Sequence, residues 1–177
     1  MAVRPLPTLF GIAGVIAVAM ITMFAILPSS ATPATDRAKS NAPIVVHHDV
    51  ISLAAAQQLA TAALNDCAKR GFPVTVAVVD PDGVDIVVLR ADGATGATVA
   101  VARGKAHAAA GFQSATADLQ EAAKTSPGLL TVPDFVLLPG GQPIRSGQVL
   151  VAGVGVSGAP SGAIDDLCAA AGLKAIA

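Results

Sequence analysis

The sequence has no tryptophan and no tyrosine, and its three methionines, Met1, Met20 and Met23, all fall in the first two dozen residues. Two of the five phenylalanines, Phe10 and Phe24, lie there as well, which leaves Phe72, Phe112 and Phe135 for the remainder. A fold built from that remainder packs mainly with alanine, valine and glycine. There is no cluster of lysine or arginine, and the formal net charge is -1. Binding to nucleic acid requires a basic face, so that class is excluded. Catalytic signatures are missing too. We find no Walker loop, no nucleotide-binding glycine fingerprint, no His-Glu-x-x-His and no nucleophile elbow.

One long hydrophobic run is present. After Arg4, residues Leu9 to Leu27 are uncharged and apolar, and Ser29-Ser30-Ala31 offers small side chains for a signal peptidase. Residues 1–31 read as a signal peptide or as an uncleaved N-terminal membrane anchor. Either reading exports the rest of the chain to the cell envelope, the periplasm or the outside, and an uncleaved segment is the only membrane contact expected. Residues 32–48 are polar and contain Pro33 and Pro43, the composition of a linker, so the folded domain is expected over residues 49–177.

Within that domain, Ser52 is a candidate N-cap for a helix that carries Leu53, Ala56, Leu59, Ala63 and Cys67 at helical spacing and stops at Gly71. "FPVTVAVVD" and "VDIVVLR" flank the turn residues Pro81-Asp82-Gly83 and form a hairpin. Helices are expected over Thr98–Phe112, from Thr116 or Asp118 to Lys124, and in the closing "GAIDDLCAAAGL". In the last of these, Asp165 and Asp166 favour the positive end of the helix dipole. "DFVLLPGGQPIRSGQVLVAGVGVSG" reads as three strands joined by short turns. Strands so joined are antiparallel, and one layer of helices on such a sheet is an α+β domain.

Asp80, Asp82, Asp85 and Asp92 sit along the hairpin, where carboxylates cap turns; a hard cation is the other use of such groups. "GVGVSGAPSG" precedes a helix, so its amides suit either an anion or a tight strand-to-helix turn. His47 and His48 fall in the linker, with metal binding as their alternative use.

"GFPVTVAVVDPDGVDIVVLRADGA", "RGKAHAAAGF", "VLLPGGQPI" and "VAGVGVSGAPSGAIDDLCAAAGL" occur in the order of the hallmark segments of the GlcG/HbpS haem-binding family, which the chain resembles from Ile51 to Leu173. The resemblance implies a profilin-like α+β domain, for which we expect a five-stranded antiparallel sheet with the N- and C-terminal helices packed together. It also implies haem or another tetrapyrrole as ligand and a homo-oligomer as the assembly. The other functional class is an oligomeric interaction module that binds no cofactor. The chain departs from the family at Ala91, where methionine is usual, and at Ala108, where threonine is frequent and His107 precedes it.

With the terminal helices side by side, Cys67 and Cys168 are placed for a disulfide in an oxidising compartment; two buried thiols are the alternative. His107 is the candidate axial ligand of haem iron, because the domain offers no tyrosine or methionine. At helical spacing it shares a face with Ala100, Arg103, Gly104 and Gly111. Gly104 and Gly111 would admit a flat macrocycle or a second subunit, and Arg103 would pair with a propionate. An inert, hydrogen-bonded histidine is the alternative.

Overall fold

The computed structural model describes residues 45–177, so the apolar N-terminal segment and most of the linker lie outside the described residues. Helix α1 spans Leu53–Lys69, with the Ser52 hydroxyl accepting a hydrogen bond from the Ala55 amide. It ends at Gly71, whose φ of 86° is a left-handed conformation that glycine adopts without strain. Strands β1 (Thr75–Val79) and β2 (Asp85–Arg90) form the expected hairpin. Its turn is held by Asp80, whose Oδ1 accepts from the amides of Asp82 and Val84. Helices α2 (Ala97–Phe112) and α3 (Thr116–Ala123) follow, then a 3-10 turn at Pro127–Thr131. Strands β3 (Gly141–Ser146) and β4 (Val149–Ser157) and helix α4 (Gly162–Lys174) complete the domain.

The sheet has four strands in the order β2-β1-β4-β3, and every neighbouring pair is antiparallel. The expected fifth strand, around Val136–Leu138, is not formed. Asp134 is left-handed at φ 61°, and the Val136 amide donates to the carbonyl of Gly104 on α2 rather than to a strand. Pro133 and Pro139 bound the segment and have no amide to give to a ladder. Its apolar side chains cover helices instead: Leu137 and Phe135 pack with Ala108, Leu119 and Ala123.

Helices also lie on both faces of the sheet, not in one layer. On one face, Val74, Val76 and Val78, with Ala152, Val154 and Val156, pack against Leu59 and Ala63 of α1 and Ala169 of α4. Burying a valine or leucine fully contributes about 1.5–3 kcal/mol, so this face carries most of the hydrophobic stabilisation. The terminal helices are side by side, as expected, with Gly172 of α4 against the Leu59 carbonyl of α1. Cys67 and Cys168 are buried there and joined, their Cα atoms 5.5 Å apart.

The other face is built differently. Gly141, Gly155 and Ala77 are in register across β3, β4 and β1 and form a shallow trough, continued by Gly153 beside Val79. Helix α2 lies in it through Ala102, Ala106 and Ala110. A Cβ on Gly155 would collide with the Ala102 carbonyl, and one on Gly153 would lie 2.5 Å from that of Ala106. The run of small residues in α2 therefore serves close approach of helix backbone to strand backbone.

Candidate functional site

Two polar arrangements stand out on α2, separated by the turn of the helix. The first is buried. Lys105 is 1% exposed, and its Nζ donates to Asp165 Oδ2 at 2.7 Å and to the Val156 carbonyl at 2.8 Å. Asp165 accepts on its other oxygen from the Ala159 amide. The pair therefore ties α2 to the end of β4 and to the first turn of α4. Burial holds the Lys105 ammonium below the usual lysine range, against the opposing pull of Asp165. Asp165 thus does more than complement a helix dipole, and Lys105 had drawn no notice in the sequence. The available signal was a single lysine in the buried stripe of an alanine-glycine helix. The glycine-rich segment before α4 is explained by packing: a Cβ on Gly158 would lie 2.7 Å from the Pro73 carbonyl.

The second arrangement is open. The structure brings Ala100, Arg103, Gly104 and His107 together along one groove of about 390 Å³, walled by Asp134, Phe135 and Val136. A second groove, of about 220 Å³, adjoins it at His107 and is lined by Pro81, Asp82, Gly83 and Gly111. His107 thus belongs to both. Its ring is half-buried, with Cδ2 near Gly83, and its side chain makes no hydrogen bond among the described residues. Whichever ring nitrogen carries no proton is therefore open to act as ligand or acceptor.

Gly104 and Gly111 are placed differently from expectation. A Cβ on Gly104 would lie 2.6 Å from Val136, and one on Gly111 2.8 Å from the Phe135 ring. The chain's own Asp134–Val136 segment occupies the close approach that these glycines offer. Arg103 is engaged with Asp85, Nε and Nη2 both contacting Oδ2 at 2.8 and 2.7 Å. His47 and His48 are exposed ahead of α1 and line neither groove. No group of three or more histidine, cysteine or acidic side chains is placed to hold a metal ion among the described residues.

A larger groove, of about 720 Å³, lies on the far side of Phe135, lined by Leu130, Leu137, Leu138, Ala123 and Lys124. It is mostly apolar and contains no histidine. Volume alone favours it, whereas ligand chemistry favours the His107 grooves. An imidazole donor lines the His107 grooves and not this one.

The fold and site define an α+β domain with an antiparallel sheet covered on both faces and a histidine-lined surface groove. Residues 51–174 match the family described as "Haem degrading protein HbpS-like", and the chain belongs to that family. No curated protein sequence matches the chain. Among solved structures, a double mutant of HbpS from Streptomyces reticuli is 35% identical with a TM-score of 0.74, covering 77% of this chain and 93% of that one. The protein ORFY from Klebsiella pneumoniae is 26% identical with a TM-score of 0.71, covering 76% and 96%. A PduOC:heme complex is 26% identical with a TM-score of 0.67, covering 72% and 95%.

Proposed function

We propose that this chain is an exported haem- or tetrapyrrole-binding protein that handles or senses the ligand, and that the macrocycle binds at the His107 grooves. The observation that carries the reading is the half-buried His107 imidazole, without a hydrogen-bond partner among the described residues, where two grooves meet. Family membership and the haem complex of a relative support the choice of ligand. The residues present fit such a group: an imidazole for iron, Phe135 and Val136 as apolar wall, and Arg103 for a carboxylate. Haem bound there would supply an iron centre. This chain would supply the His107 imidazole to hold the iron, the apolar wall and the charge of Arg103.

The test is a hemin titration of the purified protein, followed by the Soret band. A shifted band in the wild type, lost or moved in His107→Ala and retained in the His47→Ala/His48→Ala double variant, is the expected result. An unshifted band in the wild type would leave the alternative, an interaction module without cofactor. A band unchanged in His107→Ala would remove this ligand assignment alone.

Export is proposed from the apolar run Leu9–Leu27, and the joined cysteines of the domain suit an oxidising compartment. N-terminal sequencing of protein recovered from the envelope and the medium separates a cleaved signal from an anchor. A homo-oligomer is proposed from the family resemblance, and light scattering over a wide concentration range tests it.

A further inference from the structure

We infer that Arg103 selects tetrapyrroles with free carboxylates and that Asp85 competes with the ligand for it. This rests on the proposal that the macrocycle binds at His107. Arg103 lies one turn before His107 on α2 and lines the same groove. Among the described residues it is the only lysine or arginine lining either His107 groove, and Asp134 and Asp82 line them as well. A ligand carboxylate entering there meets two aspartates and a single guanidinium.

That guanidinium is held by Asp85, the first residue of β2, through one carboxylate oxygen only. The pairing is therefore not the two-oxygen fork that gives arginine–carboxylate contacts their strength. Arg103 and Asp85 side chains are 43% and 36% exposed. Exposed pairs of this kind contribute little to stability and exchange readily with other partners. Asp85 keeps the arginine ordered beside the groove and is readily displaced by a better acceptor. A propionate able to take both edges of the guanidinium is one. An esterified propionate, which has no charge, is not.

The experiment titrates the full chain with hemin and with hemin dimethyl ester at low ionic strength, reading the Soret band for wild type, Asp85→Asn and Arg103→Gln. Asp85→Asn is expected to bind hemin about two- to fivefold more tightly, the range set by an exposed ion pair. Arg103→Gln is expected to bind hemin about three- to tenfold more weakly, and the ester should bind all three proteins within about twofold. Far-UV circular dichroism and thermal melting confirm that both variants fold. If hemin affinity is the same in all three proteins, or if ester and hemin shift together, the inference is wrong while haem binding stands. If no protein shifts the Soret band, the haem reading falls and the inference with it.

Discussion

Lys105 Nζ lies 2.7 Å from Asp165 Oδ2 in the interior, joining the middle of α2 to the start of α4 across sixty residues of sequence. Truncating one member of such a pair leaves the other buried without its partner, which costs about 3–5 kcal/mol. Asp165→Ala should therefore lower the denaturation midpoint strongly. A Lys105→Met/Asp165→Leu double variant should recover much of that loss, because it leaves no charge to solvate. A double variant as unstable as the single one would show that the pair does more than balance charge.

The same lysine sets a pH dependence of stability. Its folded value is held below the ordinary 10.5 by burial. Between the folded value and 10.5 the unfolded chain binds more protons than the folded one, so stability rises with pH across that window. The penalty for the buried ammonium is fully present below the folded value. The chain has no tyrosine and the domain no free cysteine to confuse alkaline titration. Urea midpoints of wild type minus those of Lys105→Met should become more favourable as pH rises towards 10.5. A flat or falling difference would refute the assignment.

The joined cysteines are 101 residues apart, so their cross-link restricts most of the unfolded domain. Replacing both by alanine should cost about 2–5 kcal/mol, and the loss should appear as a lower melting temperature. Because both sulfurs are buried, reductant should act on the wild type slowly and mainly through unfolded molecules. Fast reduction of the native protein would contradict that burial.

Much of the fold was legible because its signals are local. Ser52 and Gly71 bracket α1, and Pro81-Asp82-Gly83 marks the hairpin. Val136-Leu137-Leu138 resembles a strand for the same reason: a short apolar run has no local feature that separates a strand from a segment lying over helices. Its actual partner, the Gly104 carbonyl, is 32 residues earlier in sequence. For the segment that holds Gly153 and Gly155 the sequence suggests a tight turn or an anion site, because nothing in it shows the helix that presses on these two glycines. The candidate site divides in the same way. Helical spacing grouped Arg103, Gly104, His107 and Gly111, whereas Asp85 and Phe135 reach that face only through tertiary packing.

Gly155→Ala provides a direct check of the trough under α2. The added methyl would meet the Ala102 carbonyl and the Ala106 amide, both backbone groups that move only with the helix. Overpacking of this kind costs about 1–3 kcal/mol, and more where backbone must shift. Gly128→Ala is the control, since no atom lies within 4 Å of its added Cβ. That control should stay within about 0.5 kcal/mol of wild type. Equal stability of the two variants would contradict close packing of α2 on β4.

Phe135 offers the sharpest test of where a macrocycle sits. Its ring meets Phe112 edge-on, 5.4 Å between centroids, and caps Gly111. It lines both His107 grooves and the larger apolar groove, so it is the wall between them. Leucine at this position preserves an apolar wall and removes the aromatic face. Aromatic contacts of this kind contribute about 0.5–1.5 kcal/mol beyond area burial, so Phe135→Leu should weaken hemin binding about two- to tenfold. That loss alone does not choose between grooves, because Phe135 faces all of them. Leu130→Ala does, since Leu130 lines only the larger groove among these three. Binding at His107 predicts that Phe135→Leu and His107→Ala lose affinity while Leu130→Ala keeps it. Loss in Leu130→Ala with full retention in His107→Ala would place the macrocycle in the larger groove and make His107 a structural residue.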